Sequence, residues 1–176
     1  MIIIAIDPGI TGAIAALDHR GRPFGLHDMP VMERSSGFVQ NQVSPSGLDC
    51  LLGILINGSD RNEVMVMLER VGPMPKQAVS TVFSMGLTMG LIEGIIVGRR
   101  LAHTFVTPQE WKRAVGLPRV SKDEEGAAKD RKKRKGKDLA RALAQKLYPD
   151  AELHLVKHHN RAEALLIARF GHERFA

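Results

Sequence analysis

The stretch Met1–Ala15, MIIIAIDPGITGAIA, decides the fold of this chain. Ile2–Ile6 form a short apolar run of mostly β-branched residues, which is typical of a buried strand. Asp7 ends that run, and Pro8-Gly9 turns the chain into a second strand over Gly12–Leu17. A carboxylate at the end of a buried strand is costly to desolvate and needs a partner. From this stretch alone, Asp7 is either a functional acid held by a sheet or the cap of its own turn.

Length and charge limit what the chain can be. Its 176 residues are enough for one domain with a hydrophobic core, so we expect a single domain over residues 1–176. The formal net charge of +6 favours a polyanionic partner such as a nucleic acid. The single cysteine, Cys50, excludes an internal disulfide, and no signal-peptide pattern is present, so we expect a cytoplasmic protein. The longest apolar stretch, near Met85–Gly98, is shorter than the ~20 residues of a membrane span, which predicts no membrane association.

The order of patterned segments predicts an α/β fold. A helix that precedes an all-apolar strand indicates a crossover connection, so the strand ending at Leu68 should lie parallel to the first strand and be buried. That strand is followed by Glu69, so two neighbouring strands end in a carboxylate at one sheet edge. The expected elements are strands over Ile2–Ile6, Gly12–Leu17 and Phe24–Met29, a polar loop over Glu33–Ser46, a helix from Ser44-Pro45 to Asn57-Gly58, a strand over Glu63–Leu68, a long helix over Lys76–Arg100, a strand over His103–Val106, a helix from the capping box at Thr107 to about Gly116, a charged loop over Pro118–Gly136, and helices over Asp138–Leu147 and from His159 to about Gly171.

A stripe of glycines runs along the long helix. Gly86, Gly90, Gly94 and Gly98 recur every four residues, and each costs roughly 1 kcal/mol of helix stability relative to alanine. Another backbone passing close to the helix would explain them. We favour packing against the protein's own sheet, with a subunit interface as the alternative.

Acidic residues that lie far apart in sequence fall at the ends of buried elements. Asp7 and Glu69 end strands, and Glu163 lies in the first turns of the last helix, on one face with His159 and Asn160. Converging carboxylates do not all stay ionised without a cation, and oxygen ligands select Mg²⁺ or Mn²⁺. Two such ions about 4 Å apart can hold the attacking and leaving oxygens of a phosphoryl displacement. Taken alone, Asn160 to Glu163 also fits a plain helix cap with an acid at its third position.

With these motifs in order, the chain resembles the RuvC-type Holliday junction resolvases of the ribonuclease H-like superfamily. The matching residues are Ile4-Ala5-Ile6-Asp7-Pro8-Gly9 with Thr11-Gly12, Leu68-Glu69-Arg70, Met85-Gly86-Leu87-Thr88-Met89-Gly90, Pro108-Gln109-Glu110-Trp111-Lys112 and Asn160-Arg161-Ala162-Glu163-Ala164-Leu165. The resemblance implies a five-stranded mixed sheet, with three antiparallel strands and then parallel crossovers, flanked by helices. It implies a homodimer that resolves four-way DNA junctions by symmetric paired nicks with 5′-phosphate ends, in a bacterial or phage-infected cell. It further implies two Mg²⁺ or Mn²⁺ ions per active site and no nucleotide cofactor.

The resemblance also assigns the metal ligands residue by residue. Asp7 matches the acid that bridges both ions, and Glu69 matches the second ligand. Glu163 stands where the family usually has aspartate. Asn160 stands where the family has aspartate or histidine, and because a neutral amide binds metal weakly, we expect His159 to take over its role.

The remaining assignments concern DNA. Lys112 and Lys137 match lysines beside the active site, and both are predicted to be catalytic. Gly72 replaces a phenylalanine that can wedge into the junction, so Met74 is the expected wedge and a broader structure selectivity is expected. The predicted DNA-binding residues are Arg70, Met74, Lys76, Lys112, Arg113, Lys132, Lys133, Arg134, Lys135 and Lys137.

Other functions remain open at the level of sequence. A general branched-DNA or flap endonuclease is the closest alternative, and a non-catalytic branched-DNA-binding protein is suggested by Asn160. The stretch Asp7–Ala13 is also similar to the first phosphate loop of the actin, Hsp70 and sugar-kinase ATPases, but those need two such domains around one nucleotide. Catalysis requires Asp7, Glu69 and Glu163 together, whereas a binding module does not.

Overall fold

The chain forms a mixed sheet covered by helices. The structure is a computed structural model that describes residues 1–33, 41–73, 75–118 and 128–176, with the backbone alone over 128–135. Its elements are β1 (Ile2–Asp7), β2 (Ala13–Leu17), β3 (Pro23–Asp28), β4 (Val31–Glu33), β5 (Asn41–Val43), α1 (Pro45–Ile56), β6 (Val64–Glu69), α2 (Val79–Gly98), β7 (Ala102–Val106), α3 (Pro108–Ala114), α4 (Ala128–Leu147) and α5 (His159–Phe175), with 3-10 turns at Arg61–Glu63 and Val156–His158.

The main sheet has five strands in the order β3-β2-β1-β6-β7. β1, β2 and β3 pair antiparallel, whereas β6 lies parallel to β1 and β7 lies parallel to β6. The predicted mixed sheet and the predicted parallel crossover are therefore confirmed. Ile6 lies opposite Leu68, so Asp7 and Glu69 end neighbouring strands at the same edge.

Two hydrophobic clusters lie on the two sides of this sheet. Because successive side chains of a strand point to opposite faces, β1 contributes to both. Ile4 and Ile6 pack with α1 and with Ile92 of α2, whereas Ile3 packs under α4 and α5. Helix α5 approaches the sheet closely, since a Cβ at Gly171 would come within 2.6 Å of Met67 Cγ. The C-terminal part of α5 therefore packs directly against β1 and β6.

The predicted polar loop over Glu33–Ser46 is wrong in part. β4 and β5 pair antiparallel, with Met32 opposite Gln42, and residues 34–40 lie outside the described chain. Polar composition misleads here because a two-stranded ribbon satisfies its backbone hydrogen bonds without an apolar face. The predicted helix start is confirmed, because the side chain of Ser44 accepts a hydrogen bond from Gly47 N at 3.1 Å.

The predicted charged loop over Pro118–Gly136 is wrong from residue 128 onwards, and its residues 119–127 lie outside the described chain. Helix α4 begins at Ala128 rather than at Asp138. Lysine and arginine are good helix formers, and a helix anchored by packing grows at the cost of one residue per hydrogen bond. Ala140 and Ala144 supply that anchor, because both are fully buried in the core.

The glycine stripe of α2 does not pack against the protein's own sheet, so the favoured explanation is wrong. Within the described residues, no atom lies within 4 Å of a Cβ built on any of the four glycines. Ile92 and Ile96 are the buried residues of this helix. The exposed apolar side chains of α2 are Val79, Phe83, Leu87 and Val97, between 49% and 85% exposed.

Helix α2 is also longer than the apolar stretch expected from the sequence. It has 20 residues and a mean hydropathy of 1.6, so by length and composition it is long enough to cross a membrane. The argument that the apolar stretch is too short is therefore wrong. The absence of membrane association stays a prediction.

Candidate active site

Two buried carboxyl groups lie side by side where β1 and β6 end. The side chains of Asp7 and Glu69 belong to residues that are only 8% and 7% exposed. Residues 8–12, the β1–β2 loop, turn tightly here, with Gly12 N donating to Gly9 O at 3.0 Å. A Cβ at Gly12 would overlap the carbonyl oxygen of Asp7, so glycine is required for the chain to return this close. The β1–β2 loop therefore packs directly against the backbone of Asp7.

Helix α5 brings the third acid to this edge. Glu163 Oε1 forms an ion pair with Lys112 Nζ at 3.0 Å, and the Glu163 side chain is 13% exposed whereas that of Lys112 is 41% exposed. Lys112 belongs to α3, whose predicted capping box is confirmed by Thr107 N donating to Glu110 Oε2 at 2.7 Å. This cap starts α3 directly after β7. The fourth and fifth residues of α3, Trp111 and Lys112, then contact Glu69 and Glu163 respectively.

The electrostatics show that the three acids converge. Burial raises the pKa of the Asp7 carboxyl well above its usual range, and the negative charges of Glu69 and Glu163 raise it further. The ammonium groups of Lys137 and Lys112 act on it in the opposite direction and do not compensate. At Asp7, burial and the two neighbouring acids therefore outweigh the nearby ammonium groups.

Glu69 has a donor that the sequence did not predict. Trp111, which is fully buried, donates from Nε1 to Glu69 Oε1 at 2.7 Å. Burial raises the pKa of Glu69, and the Trp111 hydrogen bond acts against that rise. The signal was present in the sequence, since this is the only tryptophan and a buried indole N–H normally finds an acceptor.

Asn160 and His159 are placed differently from each other. The side-chain amide of Asn160 donates to the carbonyl oxygen of Thr11 in the β1–β2 loop. His159 Nδ1 instead contacts the carbonyl oxygen of Val156 at 3.1 Å, within its own turn. Asn160 thus ties α5 to the loop that follows Asp7, and a metal-binding role for either residue stays a prediction.

The structure describes the side chains of some of the predicted DNA-binding residues. The Arg70 guanidinium lies over the Phe105 ring at 5.0 Å, and Lys76 is exposed with a positive φ of 68°. A cleft of ≈ 700 Å³ between α3 and α4, here called the cationic cleft, is lined by Lys112 and Arg113. Met74 and the side chains of Lys132, Lys133, Arg134 and Lys135 lie outside the described residues.

The donor chemistry of the site fits a divalent cation. Over the described residues, no three His, Cys, Asp or Glu side chains already stand in the arrangement of a metal site. The Lys112 ammonium is the positive charge paired with Glu163. Buried carboxyl oxygens that repel one another are the donors that hard ions such as Mg²⁺ and Mn²⁺ prefer.

Comparisons with known proteins agree on the fold. No protein-family profile matches the chain, and no curated protein matches its sequence. A solved structure of T. thermophilus RuvC in complex with a Holliday junction substrate is 13% identical, covers 96% of this chain and 90% of its own, and has a TM-score of 0.59. A second Thermus thermophilus RuvC structure is 14% identical over 97% of both chains, with a TM-score of 0.49. The likeness to the first of these structures shows that the chain has the RuvC-type, ribonuclease H-like fold that the sequence motifs predicted.

Proposed function

We propose that this protein is a divalent-metal-dependent, structure-selective DNA endonuclease that resolves four-way junctions by paired symmetric nicks. One observation carries the proposal: the buried Asp7 and Glu69 end neighbouring strands at one edge of a RuvC-type sheet, and Glu163, paired with Lys112, adds its negative charge there. Perturbed acids gathered at one edge mark a functional site more often than a structural one.

Two Mg²⁺ or Mn²⁺ ions would be held by Asp7, Glu69 and Glu163, with Asn160 or His159 beside them. When bound, such ions stabilise charge on the attacking and leaving oxygens of a phosphodiester. The chain's own contribution is to position the acids rigidly: Trp111 fixes Glu69, and the β1–β2 loop fixes Asp7. Lys112, which pairs with Glu163 at 3.0 Å, would supply a positive charge beside the phosphate.

The DNA substrate follows from charge and from the structural neighbour. The chain carries a net charge of +6, and Lys112 and Arg113 line the cationic cleft beside the acids. Cationic side chains that contact phosphates supply most of the sequence-independent affinity for DNA. The T. thermophilus RuvC structure of the same fold contains a Holliday junction substrate, and we extend that substrate class to this chain.

Paired nicks in a junction with two-fold symmetry require two active sites, which a dimer supplies. The outward face of α2, made of its four glycines with Phe83, Leu87 and Val97, is the surface we propose for dimer contact. Glycines let two backbones approach closely, and the exposed apolar side chains gain from burial. Light scattering at micromolar concentration should give twice the chain mass of 19.3 kDa, and a monomer would contradict the dimer.

The function is tested by cleavage of an immobile four-way junction alongside a flap, a Y-fork and a linear duplex. Mg²⁺ and Mn²⁺ are supplied separately, and D7N is the matched inactive control. Symmetric nicks confined to the junction and absent in D7N are the expected result. Tight junction binding without cleavage in either metal would instead identify a non-catalytic binding protein.

A broader branched-DNA or flap endonuclease is the second candidate. Gly72 stands three residues after Glu69, where an aromatic wedge would enforce junction specificity. Equal cleavage of flaps, forks and junctions in the same assay would establish this broader activity.

A further inference from the structure

We propose that Asn160 is a positioning residue and not a metal ligand: its side-chain amide ties helix α5 to the β1–β2 loop and so fixes Glu163 relative to Asp7. The resemblance to the RuvC-type resolvases assigns position 160 to the metal ions instead. The inference rests on the proposed nuclease function. It narrows the protein ligands of the same site to the carboxylates of Asp7, Glu69 and Glu163.

The tie is a hydrogen bond between two parts of the chain that are 149 positions apart. Nδ2 of the Asn160 side chain donates to the carbonyl oxygen of Thr11. A carbonyl oxygen only accepts hydrogen bonds, so the nitrogen of the amide must be the atom that faces it. An ionised aspartate has no donor and would repel the same oxygen. The departure from the family pattern at position 160 therefore supplies the donor that this contact requires.

The β1–β2 loop transmits a restraint at Thr11 to Asp7. Thr11 is exposed and lies between Gly9 and Gly12, whose backbones close the turn with a hydrogen bond of 3.0 Å. A Cβ at Gly12 would overlap the carbonyl oxygen of Asp7, so the backbone of the loop and that of Asp7 are in direct contact. A shift of Thr11 therefore displaces the backbone that carries the Asp7 carboxyl group.

Helix α5 transmits the same restraint to Glu163. Asn160 and Glu163 are three residues apart, so they lie on one face of the helix. The start of α5 has no side-chain cap, because its N-cap residue, His158, makes no such hydrogen bond. Helix ends fray when their free backbone groups are not held. The tie therefore holds the turn of α5 that carries both side chains.

A second contact at the start of α5 provides a control for simple loosening of the helix. Arg161, the residue after Asn160, pairs with Asp28 of β3 at 2.6 Å and 2.9 Å. R161M removes this contact and leaves the Asn160 amide and the Thr11 carbonyl group in place. It therefore loosens the same turn of α5 without releasing the β1–β2 loop.

Hydrogen exchange in metal-free protein tests the tie without a catalytic readout. The reporter is the backbone amide of Gly12, which donates to Gly9 O, followed by NMR in EDTA. N160A and N160D both lack the amide donor, so exchange at Gly12 should be severalfold faster in both. R161M should leave this exchange rate unchanged. Equal exchange in N160A and the unaltered protein overturns the inference. Thermal unfolding establishes that the variants are folded, and N160S replaces N160A if it is not.

Junction cleavage and Mn²⁺ titration separate a positioning residue from a ligand. N160D supplies the carboxylate found at this position in the family but not the donor. At saturating Mn²⁺, N160A and N160D should both lower kcat by about 10–100-fold, because misplaced acids impair the reaction. KM for the junction should change less than about threefold, and R161M should keep kcat within about threefold. N160D should bind Mn²⁺ no more tightly than the unaltered protein.

Three outcomes contradict the inference. Tighter Mn²⁺ binding by N160D with an undiminished kcat would make position 160 a ligand. Equal losses of kcat in R161M and N160A would show that any loosening of α5 has the same effect. Unchanged kcat and unchanged Gly12 exchange in N160A would remove the tie while the proposed function stands. Absence of both Mn²⁺ binding and cleavage in the unaltered protein overturns the proposed function as well.

Discussion

Helix α5 lies close to acidic side chains at two places. It carries a positive charge next to one of them and a negative charge next to the others. Arg161 forms a bidentate pair with Asp28, from Nε to Oδ1 at 2.6 Å and from Nη2 to Oδ2 at 2.9 Å. Two residues later, Glu163 adds a negative charge next to Asp7 and Glu69. The same helix therefore neutralises one acid and repels two others.

The direction of each pKa records this difference. The Arg161 hydrogen bonds lower the pKa of Asp28, so its charged form is favoured in the folded protein. Burial and the neighbouring acids raise the pKa of Asp7, so its charged form opposes folding. Asp28 is paired with an arginine, Arg161, whereas no arginine contributes to the pKa shift of Asp7. We interpret the unmatched charge as the part of the site reserved for metal ions.

The largest expected effect concerns catalysis. D7N should reduce junction cleavage by at least about 10³-fold, because the amide cannot supply the charge that holds two ions. D28N, the same substitution at the acid that pairs with Arg161, should change the cleavage rate less than about threefold. Gel assays on one junction substrate measure both. Similar losses of cleavage activity in D7N and D28N would show that Asp7 has no special role in catalysis.

A smaller effect is expected at Trp111. W111F keeps an aromatic ring in the core but removes the N–H that binds Glu69. Loss of a group that orients a metal ligand typically costs about 10–100-fold in metal affinity, so the Mn²⁺ affinity should fall within that range. Calorimetric Mn²⁺ titration measures it, with thermal unfolding as the control for folding. An unchanged Mn²⁺ affinity would show that Trp111 contributes to core packing but does not orient Glu69 for metal binding.

Thermal stability should move in opposite directions at the two acids. In EDTA at pH 7.5, D7N should raise the melting temperature because it removes an unmatched buried charge. R161M should lower it by about 1–4 °C, since a partly exposed ion pair contributes about 0.5–1 kcal/mol to a domain of this size. Differential scanning fluorimetry on the three proteins tests this. A lower melting temperature for D7N would contradict the electrostatic account of the site.

The smallest effect is a pH dependence of that difference. A carboxyl group whose pKa is raised in the folded state binds its proton more tightly when folded, so its penalty appears as pH rises through the raised pKa. The gap in unfolding free energy between D7N and the unaltered protein should therefore shrink as pH falls from 8 to 5. The gap for D28N should stay constant over that range, because a lowered pKa costs stability only at more acidic pH. Denaturant titrations in EDTA measure both gaps.

The sequence predicted the central part of the sheet well. The β-branched run before Asp7 and the all-apolar run before Glu69 are short-range patterns, and each is set by burial of a strand on both faces. The capping box at Thr107 is likewise local, since its hydrogen bonds span three residues. The structure confirmed all three.

Features that depend on long-range packing were not predictable in the same way. The indole N–H of Trp111 meets Glu69 across 42 positions of chain, and no local pattern encodes that contact. The glycines of α2 were assigned to the wrong neighbour, because spacing identifies a face but not what covers it. The start of α4 was misplaced because a run of lysine and arginine is compatible with either a loop or a helix.

The central claim is that the three acids form a divalent-cation site, and Mn²⁺ binding tests it most directly. Calorimetric titration without DNA would compare the unaltered protein with D7N, E163Q and D28N. We expect saturable Mn²⁺ binding by the unaltered protein and D28N, and its loss or at least tenfold weakening in D7N and E163Q. Absence of saturable binding by the unaltered protein, or equal binding by all four proteins, would contradict the claim.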